Sequence, residues 1–322
     1  NAFAAAGGTP AVTNVTEEFN SSANVITPTA WAAGENLGTG RYGAGIGQSQ
    51  TACGLAGLQK ASPTSAIGDT ELYDGTSWSP SGSLAVSRYR MSGCGTQTAG
   101  LGMGGYGGPG GPGYKSNVEE FSGSSWTSET ALPGGCQFGS ANGPQTAAIY
   151  CMYNTPGGDS AEGLDYNGTS WTAGDNMVTT RRQGCLIGAA ATQTAAIAAG
   201  GNVSPPSPSP NVKTTESYNG SSWTTVNSMN TGRHASGSSG IQGNADIFGS
   251  DPTTNYPQVT TENYNGTTWS SRANASTARV AVHNGGGGTG AAIFMGGSPG
   301  SNSTEEFTDA STALNVKTLT QS

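Results

Sequence analysis

The chain has 322 residues, of which 53 are glycine, 33% are hydrophobic and only 10% are charged, which argues against a helical core and against the surface of an ordinary cytosolic enzyme. The formal charge of −8, with 12 Lys and Arg, excludes a basic surface for nucleic acid. No apolar run approaches the roughly 18 residues that span a bilayer, so membrane insertion is not predicted.

The first elements of the chain introduce two segments that recur later. Residues 3–8, Phe-Ala-Ala-Ala-Gly-Gly, form a predicted small-apolar strand that ends in paired glycines, and Glu-Glu-Phe follows at residues 17–19, ahead of Trp31. The chain starts at Asn1 without a Met or a signal-like segment, so we expect either processing or a longer parent chain.

These segments repeat along the whole chain. Six tryptophans are spaced 45 to 52 residues apart, at Trp31, Trp78, Trp126, Trp171, Trp223 and Trp269. From the second onward, each tryptophan closes a phrase in which Glu-x-Tyr, or a close variant, is followed by a Gly-containing turn. A small-apolar strand, usually ending in glycines, precedes each phrase. With truncated copies at both ends, seven repeats of about 46 residues account for the chain.

Each repeat predicts four short antiparallel strands. Strand a begins about ten residues after a tryptophan, strand b ends in the glycines, strand c holds Glu-x-Tyr, and strand d begins at the tryptophan. Turns such as Asn167-Gly168 between c and d suit a tight hairpin, because glycine accepts positive φ. Such units are typical of β-propeller blades.

The sequence therefore predicts an all-β fold, a seven-bladed β-propeller with four-stranded antiparallel blades in a single domain over residues 1–322. The first blade is predicted to lack its innermost strand, which would lie upstream of Asn1 or come from another chain or domain. The predicted blades span approximately 1–40, 41–87, 88–135, 136–180, 181–232, 233–278 and 279–322.

An arginine and a glutamate vary together across the repeats. The position ten residues after each tryptophan is Arg in five of six cases, and the exception, Cys136, falls in the repeat that has Leu164 in place of the glutamate. An unpaired buried charge costs several kcal/mol, whereas losing both partners can be nearly neutral. We therefore predict intra-blade ion pairs, with an anion-binding arginine ring as the alternative. The pairs are Arg41–Glu71, Arg88–Glu119, Arg181–Glu216, Arg233–Glu262 and Arg279–Glu305.

The five cysteines have no CxxC spacing, so the sequence predicts neither a zinc site nor a dense disulfide framework. Cys136 and Cys151 are symmetric about a predicted turn and could face each other across a hairpin, which leaves a disulfide between them open.

Catalytic constellations are not predicted. The two histidines, His234 and His283, fall in different repeats and cannot build a copper site, and the acids outside the repeat positions are scattered among loops. The sequence predicts no enzyme, no cofactor and no metal site.

Sequence variation is concentrated in the connection between strands b and c, which leaves the propeller on one face together with the d–a connections. Loops on a rigid scaffold are where recognition usually occurs, so this face is the predicted binding surface. Its aromatic and polar members are Tyr106, Tyr114, Tyr153, Asn154, Asp159, Asn255 and Tyr256.

The order of paired glycines, Glu-x-Tyr-Asn-Gly and Trp, followed by Arg, resembles the kelch repeat. The chain is similar, over essentially its full length, to kelch-like proteins of marine tailed bacteriophages. The segments that carry this resemblance are Gly-Thr-Gln-Thr-Ala at 95–99, the repeated Tyr-Asn-Gly-Thr-Ser-Trp and the closing residues 315–322.

The resemblance implies a non-enzymatic structural protein on the virion surface, in a tail fibre, an appendage or the capsid, that serves host attachment, receptor binding or particle assembly. Its implied partners are other virion proteins and a host cell-surface glycan or protein, and a homo-oligomer is compatible with this role. Two alternatives stay open: a secreted bacterial glycan-binding module and a degenerate glycosidase or depolymerase.

Overall fold

The structure is a computed structural model. It describes residues 3–4, 17–18, 23–60, 66–108, 113–188, 192–204, 210–250, 257–280, 285–288, 290–297 and 301–315. These residues form strands and connecting segments, with no helix among them, as the composition predicts. Within the same residues, no helix is long and apolar enough to cross a membrane.

The chain divides into two compact units, residues 1–29 with 309–322 and residues 30–308. The first unit contains two antiparallel pairs of strands, β1 (Phe3–Ala4) with β2 (Glu17–Glu18) and β3 (Ala23–Thr27) with β30 (Ser311–Asn315).

The second unit contains six four-stranded antiparallel sheets, which we call blades 1 to 6. From the innermost to the outermost strand they are, for blade 1, β5 (Arg41–Ser49), β6 (Ala52–Lys60), β7 (Ala66–Tyr73) and β8 (Trp78–Ser81); for blade 2, β9 (Ser92–Thr96), β10 (Ala99–Met103), β11 (Val118–Phe121) and β12 (Trp126–Glu129); for blade 3, β13 (Ser140–Asn142), β14 (Ala148–Cys151), β17 (Leu164–Tyr166) and β18 (Trp171–Ala173); for blade 4, β19 (Cys185–Gly188), β20 (Ala196–Ala199), β21 (Thr215–Tyr218) and β22 (Trp223–Val226); for blade 5, β23 (Gly237–Ile241), β24 (Asn244–Phe248), β25 (Thr261–Tyr264) and β26 (Trp269–Arg272); and for blade 6, β27 (Gly285–Gly288), β28 (Ala291–Met295), β29 (Thr304–Thr308) and β4 (Ala30–Gly34). A small extra hairpin, β15 (Asn154–Thr155) with β16 (Gly158–Asp159), lies in the b–c connection of blade 3.

The blades form a β-propeller. Their innermost strands contact one another in cyclic order, β5, β9, β13, β19, β23 and β27, and β27 contacts β5 again. Small residues such as Gly93 allow this crowding, because a side chain there would meet the carbonyl oxygen of Gly45 in the neighbouring blade at 2.5 Å. Apolar side chains of strands b, c and d fill the widening space between neighbouring blades.

The prediction of seven blades, the first without an inner strand, is wrong: the ring has six. The strand at Trp31, assigned from the sequence to a first blade, is the outermost strand of the last. β4 pairs with β29 in a continuous antiparallel register from Thr304–Gly34 to Thr308–Ala30. The physical reason is that a sheet needs only a matching edge, so a strand from the start of the chain can complete a blade built by its end.

The c–d turns follow the predicted chemistry. Gly75 has φ 96° and Gly168 has φ 90°, in the region that a two-residue hairpin turn requires. The residue before the glycine also fixes the turn. Asp74 accepts hydrogen bonds from the Thr76 hydroxyl and from the backbone N–H groups of Ser77 and Thr76, and these bonds lower the pKa of Asp74 to about 2.

A repeated glutamine in the a–b hairpin joins each of blades 1 to 5 to the blade before it in the ring. Gln97 of blade 2 donates to the carbonyl oxygens of Cys53 and Tyr73 in strands b and c of blade 1, at 2.9 and 2.7 Å. The same paired contact recurs four more times, at Gln50, Gln145, Gln193 and Gln242. The spacing of 47 to 49 residues marks these glutamines as a further repeat position, which was not among the predicted ones.

The tryptophan indoles make a second contact between blades. Trp126 Nε1 donates to Thr70 Oγ1 of the preceding blade at 2.8 Å, and Trp269 Nε1 donates to Thr215 Oγ1 at 3.1 Å. Where the acceptor position holds Val118 or Gly163 instead, the indole of the following blade, Trp171 or Trp223, has no partner among the described residues.

Thr70→Val is expected to lower the free energy of unfolding by about 1–2 kcal/mol, because it keeps the side-chain shape but leaves the Trp126 indole without an acceptor. Thr261→Val is the matched control, since Thr261 Oγ1 is buried and has no hydrogen-bond partner among the residues that the structure describes. Urea denaturation of both variants measures the difference. Equal losses would contradict a role for the Trp126–Thr70 hydrogen bond.

All five cysteines are free and buried, so the disulfide left open from the sequence is not formed. Ser140, not Cys136, pairs with Cys151 across the a–b hairpin of blade 3. Burial raises the pKa of Cys136 to about 11 and that of Cys151 to about 12.

We expect the folded protein to resist a thiol-reactive reagent at pH 8, because every thiol is buried and protonated there. After unfolding in guanidinium chloride, the same assay should count all 5 thiols. Rapid labelling of the folded protein at any cysteine would show that a blade opens locally.

Candidate functional site: the loop face of the propeller

The repeated arginine and glutamate form the most buried polar contacts of the propeller. Arg41 Nη2 lies 2.6 Å from Glu71 Oε1, and Arg279 Nη2 lies 2.5 Å from Glu305 Oε1. Direct contacts of the same kind join Arg88 to Glu119, Arg181 to Glu216 and Arg233 to Glu262. The arginine side chains are at most 1% exposed in all five pairs, which leaves no accessible guanidinium for a ligand.

The carboxylate also holds the backbone that enters the blade. In blade 2, Glu119 accepts hydrogen bonds from the N–H groups of Ala85 and Val86, which lie three and two residues before Arg88. Arg88 in turn donates to the carbonyl oxygen of Gly104 at 2.8 Å. Burial lowers the pKa of Arg88, and the charge of Glu119 opposes that shift. The pair therefore fixes three segments of one blade: the incoming connection, strand b and strand c.

Glycine provides the space for the arginine. A Cβ atom on Gly105 would meet Arg88 Cδ at 3.2 Å, and one on Gly201 would meet Arg181 Cδ at 3.3 Å. The N–H groups of these glycines donate to carbonyl oxygens at the entry of the next blade, Gly105 to Cys136 and Gly201 to Arg233, both at 2.8 Å. The second glycine of each pair thus serves the ion pair and the contact between blades.

Blade 3 replaces this whole arrangement with apolar packing. Cys136 and Leu164 stand at the arginine and glutamate positions and are 1% and 4% exposed. Pro133, which has no N–H to donate, lies where the other blades present a backbone donor to glutamate. Tyr153 takes the place of the second glycine, and its ring stacks on Tyr150 at 5.2 Å with a 4° interplanar angle. Four positions change together because they belong to one contact.

Tyr153, which the sequence places on the binding face, is therefore mostly a core residue. It is 4% exposed, and its hydroxyl donates to Glu162 Oε2 at 2.8 Å. The predicted residues Asn255 and Tyr256 lie outside the described residues.

Three tyrosines lie side by side at the loop end of blade 2. Tyr106 exchanges backbone hydrogen bonds with Tyr89, at 3.1 and 2.7 Å, and forms a β-bridge with Tyr114. The rings meet edge to face, 5.7 Å apart for Tyr89–Tyr106 and 5.6 Å for Tyr106–Tyr114. All three are partly exposed. The b–c connection thus extends the sheet of blade 2 beyond the ring and presents aromatic side chains there.

A hydrogen-bonded row continues from these tyrosines across two further blades. The Tyr114 hydroxyl donates to Asn154 Oδ1, Asn154 Nδ2 donates to Asp159 Oδ1, and Arg182 Nη1 donates to Asp159 Oδ1, each at 2.8 Å. We call Tyr106, Tyr114, Asn154, Asp159 and Arg182 the loop-face strip. The structure brings four of the seven predicted contact residues into this strip.

A cationic cluster that was not predicted from the sequence lies beside the strip. Arg90 lies over three aromatic rings, with Cζ 4.5 Å from the centroid of Phe138, 5.3 Å from Tyr89 and 5.7 Å from Tyr106. Its Nη1 donates to Gln137 Oε1 at 3.2 Å. We call these five residues the Arg90 cluster. The local signal was the Arg-Tyr-Arg sequence at 88–90, whose second arginine lies outside the repeat pattern.

A row of residues with positive φ connects four blades on this face. Arg90, Phe138, Gln183 and Ala235 have φ between 49° and 62°, at equivalent positions of blades 2, 3, 4 and 5. Their backbones are joined from blade to blade: Phe138 N donates to Arg90 O at 3.0 Å, Gln183 N donates to Phe138 O at 3.1 Å, and Ala235 N donates to Gln183 O at 2.9 Å. Non-glycine residues adopt such φ values rarely, and the contacts between neighbouring blades hold the row in this conformation.

The axial cavity of the propeller has a different character. Its walls are glycine, serine, aliphatic residues and Cys94 from the inner strands. The hydroxyls of Ser92 and Ser239 are buried there without hydrogen-bond partners among the described residues. Neutral walls of this kind suit ordered water. Among the described residues, no group of acidic, His and Cys side chains is arranged to hold a metal ion.

Neither the models of protein families nor the curated proteins contain a match to this chain.

Proposed function

We propose that this protein is a non-enzymatic, kelch-like propeller on the surface of a tailed-phage particle, in a fibre, an appendage or the capsid. In this proposal the loop face attaches the particle to a glycan or protein of the host surface, and the terminal unit and the rest of the ring join other virion proteins. The resemblance of the repeat sequences to kelch-like phage proteins supports the assignment to a phage particle. The loop-face strip supports the binding role.

One observation supports the binding role: the repeated residues make contacts inside the propeller, whereas unrepeated residues remain partly exposed on one face. The repeated Arg, Glu, Gln and Trp side chains are used within and between blades. The unrepeated Tyr106, Tyr114 and Arg182 extend across one face and remain partly exposed. A rigid ring that presents individual aromatic and polar side chains on a single face suits recognition.

Binding of the fluorescently labelled full chain to host cells tests this role. We expect Tyr106→Ala with Tyr114→Ala to lose most of the binding. Ile241→Ser is the matched control, because Ile241 is 43% exposed on an a–b hairpin, at the opposite ends of the strands, and its variant should bind normally. Equal binding by both variants would contradict attachment through the loop face.

Immunogold electron microscopy of phage particles tests the location. Label on the tail, fibre or capsid is the expected result. Label on a bacterial surface, with none on particles, would favour the secreted glycan-binding module instead.

A further inference from the structure

Arg90 differs from every other arginine in its charge environment. The chain has eight arginines, all described, and seven of them lie within 4.0 Å of a carboxylate oxygen. Arg90 forms no ion pair with a described carboxylate, and its polar side-chain contact is to the neutral amide of Gln137. In a chain with a formal charge of −8, an arginine kept away from carboxylates on a partly exposed surface needs an explanation.

Contact with water alone does not explain how the Arg90 guanidinium is stabilised without a carboxylate partner. The ring centroid of Phe138 lies 4.5 Å from Arg90 Cζ, and those of Tyr89 and Tyr106 lie 5.3 and 5.7 Å from it, so aromatic rings replace part of the water shell of the guanidinium. A guanidinium on aromatic faces keeps its outward N–H groups directed to a partner in the plane of the group. The natural partner of that edge is a planar anion, which it binds through two parallel hydrogen bonds.

We propose that the Arg90 cluster binds the carboxylate of an acidic sugar, a hexuronate unit in a surface polysaccharide. The carboxylate pairs with the outward edge of Arg90, and the C–H face of the sugar ring packs on the tyrosine rings of the cluster. The adjoining Tyr114, which is partly exposed, supplies an aromatic ring and a hydroxyl oxygen for the next sugar. This inference rests on the proposed attachment function and assigns its ligand class.

The backbone prepares the cluster for such a ligand. Arg90 has φ 58°, and its carbonyl accepts a hydrogen bond from Phe138 N, so the ring under the guanidinium and the guanidinium itself are tied together. Tyr89 and Tyr106 are fixed by their reciprocal backbone hydrogen bonds. A pre-ordered site loses little conformational entropy on binding, which favours affinity for a single sugar unit.

The net negative charge of the protein restricts the binding of an acidic polysaccharide to the Arg90 cluster. A protein with a formal charge of −8 repels polyanions as a whole, so attraction to an acidic polysaccharide must come from a local cation. The described lysines, Lys60, Lys115 and Lys213, provide charge-matched positions for comparison.

The test measures binding of oligogalacturonate to the full-length protein by calorimetry, with the methyl-esterified oligomer as the matched ligand. Esterification removes the charge but keeps the sugar ring, so we expect the acid to bind at least about tenfold more tightly. Arg90→Asn removes the cation, and asparagine tolerates positive φ, so about tenfold weaker binding is expected. Arg90→Lys should retain part of the affinity but lose the bidentate geometry.

Lys213→Gln is the control for net charge and should change the affinity less than about twofold, because Lys213 is exposed and outside the cluster. Unchanged thermal unfolding midpoints show that the variants are folded. Equal affinity for acid and ester, or wild-type affinity in Arg90→Asn, overturns the proposal.

Different results would contradict the attachment function and the acidic-sugar ligand. Host-cell binding that depends on Tyr106 and Tyr114 but not on Arg90 leaves the attachment function in place and removes the acidic-sugar assignment. Oligogalacturonate binding at Arg90 without any host-cell binding supports the ligand class and contradicts attachment.

Discussion

Glu119→Leu is expected to lower the free energy of unfolding by about 3–5 kcal/mol, because it leaves the fully buried Arg88 guanidinium without its counter-charge. The double variant Arg88→Met with Glu119→Leu should lose less than the sum of the two single variants, since no buried charge is then left unpaired. Guanidinium chloride denaturation of the three variants and the parent gives the coupling energy.

The double variant should still be less stable than the parent. Glu119 also accepts hydrogen bonds from the backbone of Ala85 and Val86, and these donors lose their acceptor. Blade 3 shows what a full replacement needs: Cys136, Leu164, Tyr153 and a proline in place of the backbone donor.

Glu120→Leu is the matched control, because Glu120 is the next residue of the same strand but is partly exposed, and its carboxylate accepts a hydrogen bond from the Tyr166 hydroxyl at 3.3 Å. We expect a change of less than about 1 kcal/mol there. Losses of equal size at 119 and 120, or strict additivity of the Arg88 and Glu119 variants, would contradict the role of the buried pair.

Trp31→Ala is expected to cost about 2–4 kcal/mol, because this side chain closes the ring. Its indole lies 5.0 Å from the ring of Phe248 in blade 5 and 5.2 Å from that of Phe307 in blade 6, and Nε1 donates to Ala273 O at 3.0 Å. Thermal and denaturant unfolding of the full chain measure the loss.

The control for ring closure is Ile241→Ala, which shortens an apolar side chain that is 43% exposed and should change stability by less than about 0.5 kcal/mol. If Trp31→Ala were equally neutral, β4 would not be a necessary part of blade 6.

The ion pairs could be predicted because their signal is periodic and local. Each arginine stands ten residues after a tryptophan, and the paired loss at Cys136 and Leu164 links the two positions without any knowledge of the fold. The glutamine contacts between blades had an equally regular signal, at Gln97 and its equivalents, but a neutral side chain carries no charge balance that would reveal its partner.

The loop face could be predicted only in part. Tyr106, Tyr114, Asn154 and Asp159 lie together on one face, but Asn154 and the Asp159 side chain are buried there. Tyr153 turns inward because blade 3 has no arginine to fill its interior. The chemistry of Arg90 was hidden, since the absence of a nearby carboxylate is a property of three-dimensional neighbours.

By itself, the sequence determined the repeat, the four strands within it, the turn glycines and the arginine–glutamate pairing, because each depends on residues within one repeat. Only the tertiary structure decided the number of blades. Repeat counting assigns Trp31 to a separate first blade. In the structure, β4, which contains Trp31, pairs with β29 as the outermost strand of blade 6, so the propeller has six blades. Strand pairing is set by complementary edges and inter-blade packing, and neither requires that the two strands be close in the chain.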